Sequence, residues 1–168
     1  LDVNAMAEGH NYFSATGFDV SMDNKLMAYG IDMLSRRQYD IYVKNLETGE
    51  IYKDKIPNTE GQPVWANDNL TLFYTSKNAG TLLSEKIKKH KLGTDAATDK
   101  TVYEEKDPTN YIGVNKTKSD KFIFIGSGAT LSSEYRYIDA NKPEDAFKVF
   151  QPRMKEVLYD VDHANDKF

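Results

Sequence analysis

Short stretches of apolar or alternating apolar and polar residues, separated by polar turns, follow one another along most of the chain. One of them starts after Asp23 and contains Leu26 and Ala28. Stretches of this length and period are typical of β-strands. Only residues 1–10 and 80–91 could be argued to be helical, and both fit a loop or a strand at least as well. The pattern therefore predicts an all-β fold.

A polar turn followed by an apolar strand occurs four times along the chain. The four segments are Phe18–Asp32, Pro63–Ser76, Tyr111–Ser127 and Tyr159–Phe168. Their aligned turn aspartates are Asp23, Asp68, Asp120 and Asp166, at spacings of 45, 52 and 46 residues. Asp and a following Asn or Lys favour such turns because short polar side chains bond to their own backbone and tolerate left-handed conformations. The sequence is therefore built from repeats.

Each complete repeat holds further strand-like stretches, which brings the total to four short strands per unit. Four strands in about 45–50 residues is the period of a β-propeller blade. A β-sandwich of seven or more strands is the main alternative, but it does not require the same turn and strand at a fixed period. We therefore predict a partial β-propeller with about three four-stranded antiparallel blades and the first strand of a fourth.

The repeat also gives the blade boundaries. The predicted ranges are 1–11 for a lead-in segment, 12–60, 61–108 and 109–154 for three blades, and 155–168 for the first strand of the next blade. With a repeat of roughly 48 residues, the chain holds about 3.5 blades, whereas propellers close with about four to eight. A partial array leaves sheet edges open, so we expect it to self-associate or to lack a partner, as a piece of a larger protein.

Composition narrows the functional classes. The chain has 22 Lys and Arg against 26 Asp and Glu, and this net charge of −4 argues against a nucleic-acid partner. With 39% hydrophobic and 12% aromatic residues it can bury a core, so global disorder is excluded. No apolar run approaches the about 18 residues that a membrane helix needs, so no membrane partner is expected. The absence of cysteine excludes disulfides and thiolate chemistry.

The sequence shows no reaction centre. The string nearest to the Gly-x-Ser-x-Gly motif of serine hydrolases, residues 126–130, does not match it and is interpreted as a loop between strands. None of His10, His90 and His163 has a second histidine at metal-ligand spacing. His10 is interpreted as a turn residue and His90 as a solvated residue of a lysine-rich strand.

Other polar features also have structural explanations. The oxygen-rich cluster of Asp160, Asp162, His163, Asn165 and Asp166 lacks the glycine and glutamate of a calcium-binding EF-hand loop. The five lysines of residues 77–91 could form an anion-binding patch, but a solvated outer strand that discourages edge pairing is favoured. Trp65 is expected in the core. We therefore predict no catalytic, cofactor-binding or metal-binding residue.

Three segments of the sequence resemble the prolyl oligopeptidase family, and in particular its oligopeptidase B branch, also called protease II. They are LDVNAMAEGHNYFS at 1–14, EIYKDKIPNTEGQPVWANDNLTLFYT at 50–75 and HKLGTDAATDKTVYEEKD at 90–107. The ending LYDVDHANDKF at 158–168 is similar to the start of the next blade in that branch. Residues 81–90 depart from the family pattern, which is more aromatic and richer in arginine there.

The resemblance implies the propeller part of a two-domain serine peptidase. In that family a seven-bladed propeller restricts entry to short peptides. A C-terminal α/β-hydrolase domain carries the Ser nucleophile, the His base and the Asp that orients it. The oligopeptidase B branch cleaves after Lys or Arg. None of the catalytic motifs matches here, so no catalytic residue is carried over and this segment alone is expected to be inactive.

The partners implied by the resemblance are the remainder of the propeller, the catalytic domain of the same chain and a peptide substrate. The resemblance also implies the cytoplasm of a bacterium, with the periplasm left open. A propeller-type binding module without any peptidase is the alternative from a different functional class. The coding sequence downstream of Phe168 separates the two readings, because only the first requires a hydrolase segment with Gly-x-Ser-x-Gly.

Overall fold

The computed structural model describes residues 1–168 and consists almost entirely of strands. The strands are β1 Ser14–Val20, β2 Leu26–Asp32, β3 Tyr39–Asn45, β4 Ile51–Thr59, β5 Val64–Trp65, β6 Thr71–Lys77, β7 Ser84–Lys91, β8 Lys100–Glu104, β9 Tyr111–Lys116, β10 Phe122–Ala129, β11 Ser132–Asp139 and β12 Lys148–Gln151. A short helix, α1, spans Val3–Ala7, and a 3-10 turn spans Ala96–Thr98. The structure has no helix with the length and apolar character needed to cross a membrane.

The strands form three antiparallel blades in chain order: blade one is β1–β4, blade two is β5–β8 and blade three is β9–β12. The predicted all-β partial propeller of about three four-stranded blades is confirmed. Blades one and two share one sheet, because β4 pairs with β6 at Thr59 and Ser76. Blade three is a separate sheet with β10 and β11 at its centre.

The core lies between the blades as two apolar clusters. The cluster between blades one and two holds Leu26, Ala28, Ile41, Val43, Ile56, Trp65, Leu72 and Tyr74. The cluster between blades two and three holds Val64, Ala66, Phe73, Ile87, Ile112, Val114, Ile123, Ile125, Ile138 and Ala140. Successive residues of β6 therefore serve opposite interfaces, since side chains alternate across a strand. This explains why Leu72, Phe73 and Tyr74 are all buried although they are consecutive.

Three turns of the repeat each place one residue in the left-handed region, and the fourth turn places two. These residues are Asn24, Asn69 and Asp120, with φ between 57° and 60°, and then Asn165 and Asp166, with φ of 49° and 61°. Asp23 and Asp68 come one residue earlier, and each accepts a hydrogen bond from the backbone N–H two residues on. In the third turn Ser119 occupies that position, with Lys121 N–H as donor. The predicted alignment of the aspartates is therefore one residue out in the third turn, because Ser119 and Asp120 take the roles that Asp and Asn have in the first two turns.

Residues 155–168 differ from the expected first strand of a further blade. They contain one isolated bridge, between Ala164 and Lys167, and no strand. The Ser133 hydroxyl donates to the Tyr159 carbonyl and accepts from the Tyr159 N–H, and the Tyr135 N–H donates to the Tyr159 hydroxyl. These bonds hold the segment against β11 without a strand ladder.

Three glycines meet where blade one contacts the segment between β4 and β5. Gly17 has φ +64° at an irregularity in the pairing of β1 with β2. A Cβ on Gly17 would lie 1.9 Å from the Gly61 carbonyl oxygen, and one on Gly30 would lie 2.5 Å from Gly61 Cα. Backbone therefore packs directly on backbone at this point, which only residues without a side chain allow.

Candidate functional site at the blade interfaces

His90 lies fully buried between two carboxylates, so its prediction as a solvated strand residue is wrong. Its Nδ1 is 2.8 Å from Asp99 Oδ1, and its Nε2 is 3.0 Å from Asp54 Oδ1. The two carboxylates are themselves only 2% and 8% exposed. The lysines around His90 in the sequence suggested an exposed strand, whereas its partners come from positions 9 and 36 residues away.

The cluster around His90 joins blade one to blade two. Asp54 belongs to β4 of blade one and also accepts a hydrogen bond from Gly93 N–H. Asp99 directly precedes β8 of blade two, and its second oxygen accepts a hydrogen bond from the Tyr74 hydroxyl at 2.8 Å. Every polar atom of the imidazole is thereby engaged in contacts between strands. The sequence did not single out Asp54, Asp99 or Tyr74 as members of a cluster around His90.

Two opposing effects set the charge of His90. Burial lowers its pKa, but hydrogen bonds and charge attraction from Asp99 and Asp54 outweigh burial and raise the pKa above its ordinary value. The protonated ring can donate to both carboxylates at once. Burial, together with the bond to Asp99, also raises the pKa of Tyr74. With both nitrogens engaged, His90 is neither a free base nor a metal ligand, and its role is to hold two blades together.

Trp65 makes a second contact between blades one and two and is fully buried, as predicted. Its backbone N–H donates to the Asp19 carboxylate at 2.9 Å, and its indole N–H donates to the Asp19 carbonyl at 3.1 Å. Burial raises the pKa of Asp19 in spite of the hydrogen bond from Trp65. One residue of β1 thus satisfies both donors of the tryptophan at the start of the next blade.

Ser127 is part of a strand, and the interpretation of residues 126–130 as a loop is wrong for all but the last of them. The strand persists through its glycines because β10 pairs with both β9 and β11. The Ser127 hydroxyl donates to Glu105 Oε2 at 2.5 Å and accepts from Arg153 Nη2 at 2.7 Å. Its neighbours are a carboxylate of lowered pKa, which is a weak base, and a guanidinium rather than an imidazole, so Ser127 connects blade two to blade three.

His163 is buried and lies beside a serine, but the pair does not form a catalytic triad. Its Nδ1 is 2.8 Å from Ser119 Oγ, the oxygen that also accepts from Lys121 N–H in the third turn. The ring packs edge-on against Phe122. The carboxylate of Asp162 accepts backbone N–H bonds from His163 and Lys118 and does not orient the ring. The contact is explained by turn geometry.

The remaining candidates from the sequence do not converge on one site. His10 is exposed, at a ring-centroid distance of 5.8 Å from Phe13. In the oxygen-rich cluster, Asp162 and Asp166 pair with lysines of the third turn, Lys118 and Lys121. No group of three or more His, Asp and Glu side chains in residues 1–168 is arranged to hold a metal ion.

A polar cavity of about 680 Å³ is lined by residues of all three blades, at the end where β9 begins. Its lining includes Arg37, Glu60, Lys77, Glu105 and Tyr111. The ammonium of Lys77 is largely buried there, donating to the Arg37 carbonyl at 2.7 Å and pairing with Glu60 at 3.2 Å. The buried cation of the cavity wall, Lys77, is therefore already paired.

Comparison with known proteins gives the family of this chain. The sequence model of the family described as "Prolyl oligopeptidase, N-terminal beta-propeller domain" matches residues 1–168. The chain belongs to this family. The family resemblance predicted from the sequence, including its oligopeptidase B branch, is confirmed by the relatives that follow.

Two curated members of the prolyl oligopeptidase family match along nearly the whole chain. The chain is 45% identical over 168 residues to dipeptidyl aminopeptidase BI of Pseudoxanthomonas mexicana and 33% identical to Protease 2 of Moraxella lacunata. Among solved structures, oligopeptidase B from Leishmania major superposes with a TM-score of 0.91 at 29% identity, over 97% of this chain. The chain spans 23%, 24% and 23% of these three proteins.

Proposed function

We propose that this chain is the propeller portion of a serine peptidase that hydrolyses short peptides after Lys or Arg, and that it gates the substrate by size. The observation that carries the proposal is the match of all 168 residues to the propeller domain of a peptidase family. The likeness to Protease 2 and to oligopeptidase B supports the Lys and Arg specificity. The propeller would work together with the remaining blades and the catalytic domain of the same chain.

The blade interfaces suit a size filter. A filter needs a rigid ring rather than a reactive side chain, and the blades here are joined by buried apolar clusters and by satisfied polar contacts. The ion cluster at His90 and the backbone contact between Gly17 and Gly61 leave little freedom between blades one and two. Buried, fully bonded networks of this kind fix one arrangement of the two blades.

We propose the bacterial cytoplasm as the compartment, with the periplasm as the alternative.

Removal of dipeptides from the amino end of a peptide is a second candidate activity. It is favoured by the 45% identity to dipeptidyl aminopeptidase BI, which is higher than the 33% identity to Protease 2. The two activities differ in whether the substrate's free amino group must be recognised. A blocked amino terminus therefore separates them.

The test uses the full-length protein that contains this segment and two chromogenic arginyl amides, one blocked at its amino terminus and one a free dipeptide. We expect the full-length protein to cleave the blocked amide, with inhibition by a serine-directed reagent. Cleavage of the free dipeptide amide but not of the blocked amide would instead support the removal of dipeptides from the amino end. No cleavage of either amide, with no hydrolase segment in the gene, would favour the non-catalytic binding module.

The 168-residue chain itself is the matched control in this assay. We expect no turnover from it, because Ser119 caps a turn and Ser127 has an acid and an arginine as neighbours. Cleavage by the purified chain that a serine-directed reagent abolishes would contradict this expectation. A mixture of short peptides and a folded protein, offered to the full-length enzyme, tests the filter, since only the peptides should be hydrolysed.

The outward faces of blades one and three predict self-association of the isolated chain. On blade one, Phe18 is exposed and stacks on Tyr29, while on blade three Phe150 and Phe168 lie against each other. Exposed aromatic faces and unpaired edges favour association. We expect the mass measured by light scattering to rise with concentration, and a Phe18→Lys variant to weaken that rise. A monomer at all concentrations would show that these faces do not associate.

A further inference from the structure

Three lysines of blade two crowd onto one face of the sheet. Lys89 of β7 and Lys100 of β8 are direct cross-strand partners, and Lys91 follows Lys89 by two residues on the same face. Like charges placed directly opposite each other destabilise a sheet. The strand β7 pairs on both sides, so Lys89 and Lys91 do not protect an open edge as the sequence suggested, and only Lys100 lies on the edge strand β8. Their arrangement needs a different explanation.

The three lysines border a small cavity between blades two and three. The cavity has a volume of about 190 Å³, and Thr71 and Thr98 also line it. The Lys89 side chain is only 11% exposed, and its ammonium donates to the Pro143 carbonyl at 3.0 Å. Lys89 is thereby fixed in place and directs its charge towards the cavity.

One carboxylate from blade three already sits among these lysines. Glu144 Oε2 lies 2.6 Å from the Lys89 ammonium, although the Glu144 side chain is 70% exposed. The hydrogen bond from Lys89 lowers the pKa of Glu144, and the charges of Lys89, Lys100 and Lys91 lower it further. Asp99 also lines the cavity, but its two oxygens are committed to His90 and Tyr74. A single exposed carboxylate is therefore set against three ammonium groups.

We propose that this cavity is an oxyanion site for a phosphate group, with Lys89, Lys91 and Lys100 as the donors and Glu144 as an internal competitor. Three ammonium groups and one carboxylate leave a net charge of about +2 at the cavity. A phosphate group carries about −1.5 to −2 charges at pH 7, which matches that net charge. Lysine binds such groups as a point charge without needing bidentate geometry. The three donors belong to blade two and the competitor belongs to blade three, so a bound phosphate would replace the Lys89–Glu144 ion pair that links the two blades here.

Titration calorimetry of the full chain with inorganic phosphate tests the site, with ionic strength held constant by sodium chloride. We expect saturable binding of one phosphate per chain. The double variant Lys91→Gln/Lys100→Gln should weaken binding about tenfold, because two ammonium groups are lost. Glu144→Gln should strengthen it by about threefold, because the competing carboxylate is removed. A gain of affinity cannot result from a folding defect.

The matched control is Lys86→Gln/Lys88→Gln, which removes two lysines from the opposite face of the same strand. This variant should bind phosphate as the parent does. Equal weakening by both double variants, or no saturable binding at constant ionic strength, would overturn the proposal. A parallel titration with glycerol phosphate identifies the source: tighter binding of the ester indicates a phosphorylated metabolite, and exclusion of the ester indicates free phosphate.

Discussion

Gly17→Ala is expected to destabilise the chain by about 3–5 kcal/mol, the range reserved for severe steric or backbone defects. Two costs combine at this position. The new Cβ would lie 1.9 Å from the Gly61 carbonyl oxygen, so the backbone of β1 or of the segment after β4 must move. The φ of +64° adds strain for any residue that has a Cβ. The movement would separate blade one from blade two at their junction.

The control for Gly17→Ala is Gly49→Ala in the turn between β3 and β4. Gly49 has a φ of +79°, similar to that of Gly17, but a Cβ there would meet nothing within 4 Å. This variant should cost only about 1 kcal/mol, because it retains the strain and lacks the collision. Urea unfolding followed by circular dichroism measures both variants. Equal losses at the two positions would show that the backbone contact contributes nothing.

Raising the pH from 6 to 9 is expected to lower the free energy of unfolding through the deprotonation of His90. The folded pKa of His90 lies above its ordinary value of about 6.5. The stability that comes from the protonated ring is therefore complete below about pH 6.5 and is lost as the pH rises through the folded pKa. Above that pKa one ring nitrogen becomes an acceptor and faces a carboxylate without a proton between them.

His90→Gln tests the origin of this pH dependence. At pH 6 the variant should cost about 3–5 kcal/mol, because it leaves the buried carboxylates of Asp54 and Asp99 without their cation. It should also flatten the decline between pH 6 and 9. His10→Gln is the control, since His10 is exposed and precedes the first strand. A decline that survives in His90→Gln would assign it to another group.

The strands were predictable because each blade alternates or concentrates apolar residues over a strand's length. Leu72, Phe73 and Tyr74 read as strand from the sequence, and their burial on both faces follows from the position of blade two between its neighbours. The repeat was predictable from its turns, but its register was not fully so. The side chains of Asp23 and Ser119 each accept a hydrogen bond from the backbone N–H two residues on, in equivalent turns. Only the backbone conformation shows that these two residues correspond.

The polar contacts between blades could not be predicted from one sequence. His90 finds its partners on β4 and next to β8, and the sequence around it shows only lysines. Its neighbours Lys89 and Lys91 lie on the other face of the strand. A local sequence pattern cannot show which side chains a neighbouring blade supplies. Ser127 shows the same limit in the opposite direction: its glycine neighbours suggested a loop, whereas pairing on both sides of β10 holds it in a strand. Long-range pairing outweighs local preference at both positions.

The pairing of Thr59 with Ser76 affects how this chain can be dissected. The sequence repeat places a boundary at residue 60, but a cut there divides a continuous hydrogen-bonded sheet that runs from β1 to β8. A cut near residue 108 leaves both sheets whole, because blade three pairs only with itself. The unit of duplication is therefore one blade, whereas blades one and two share their ladders and blade three keeps its own. Truncations and transplants of this segment should keep blades one and two together.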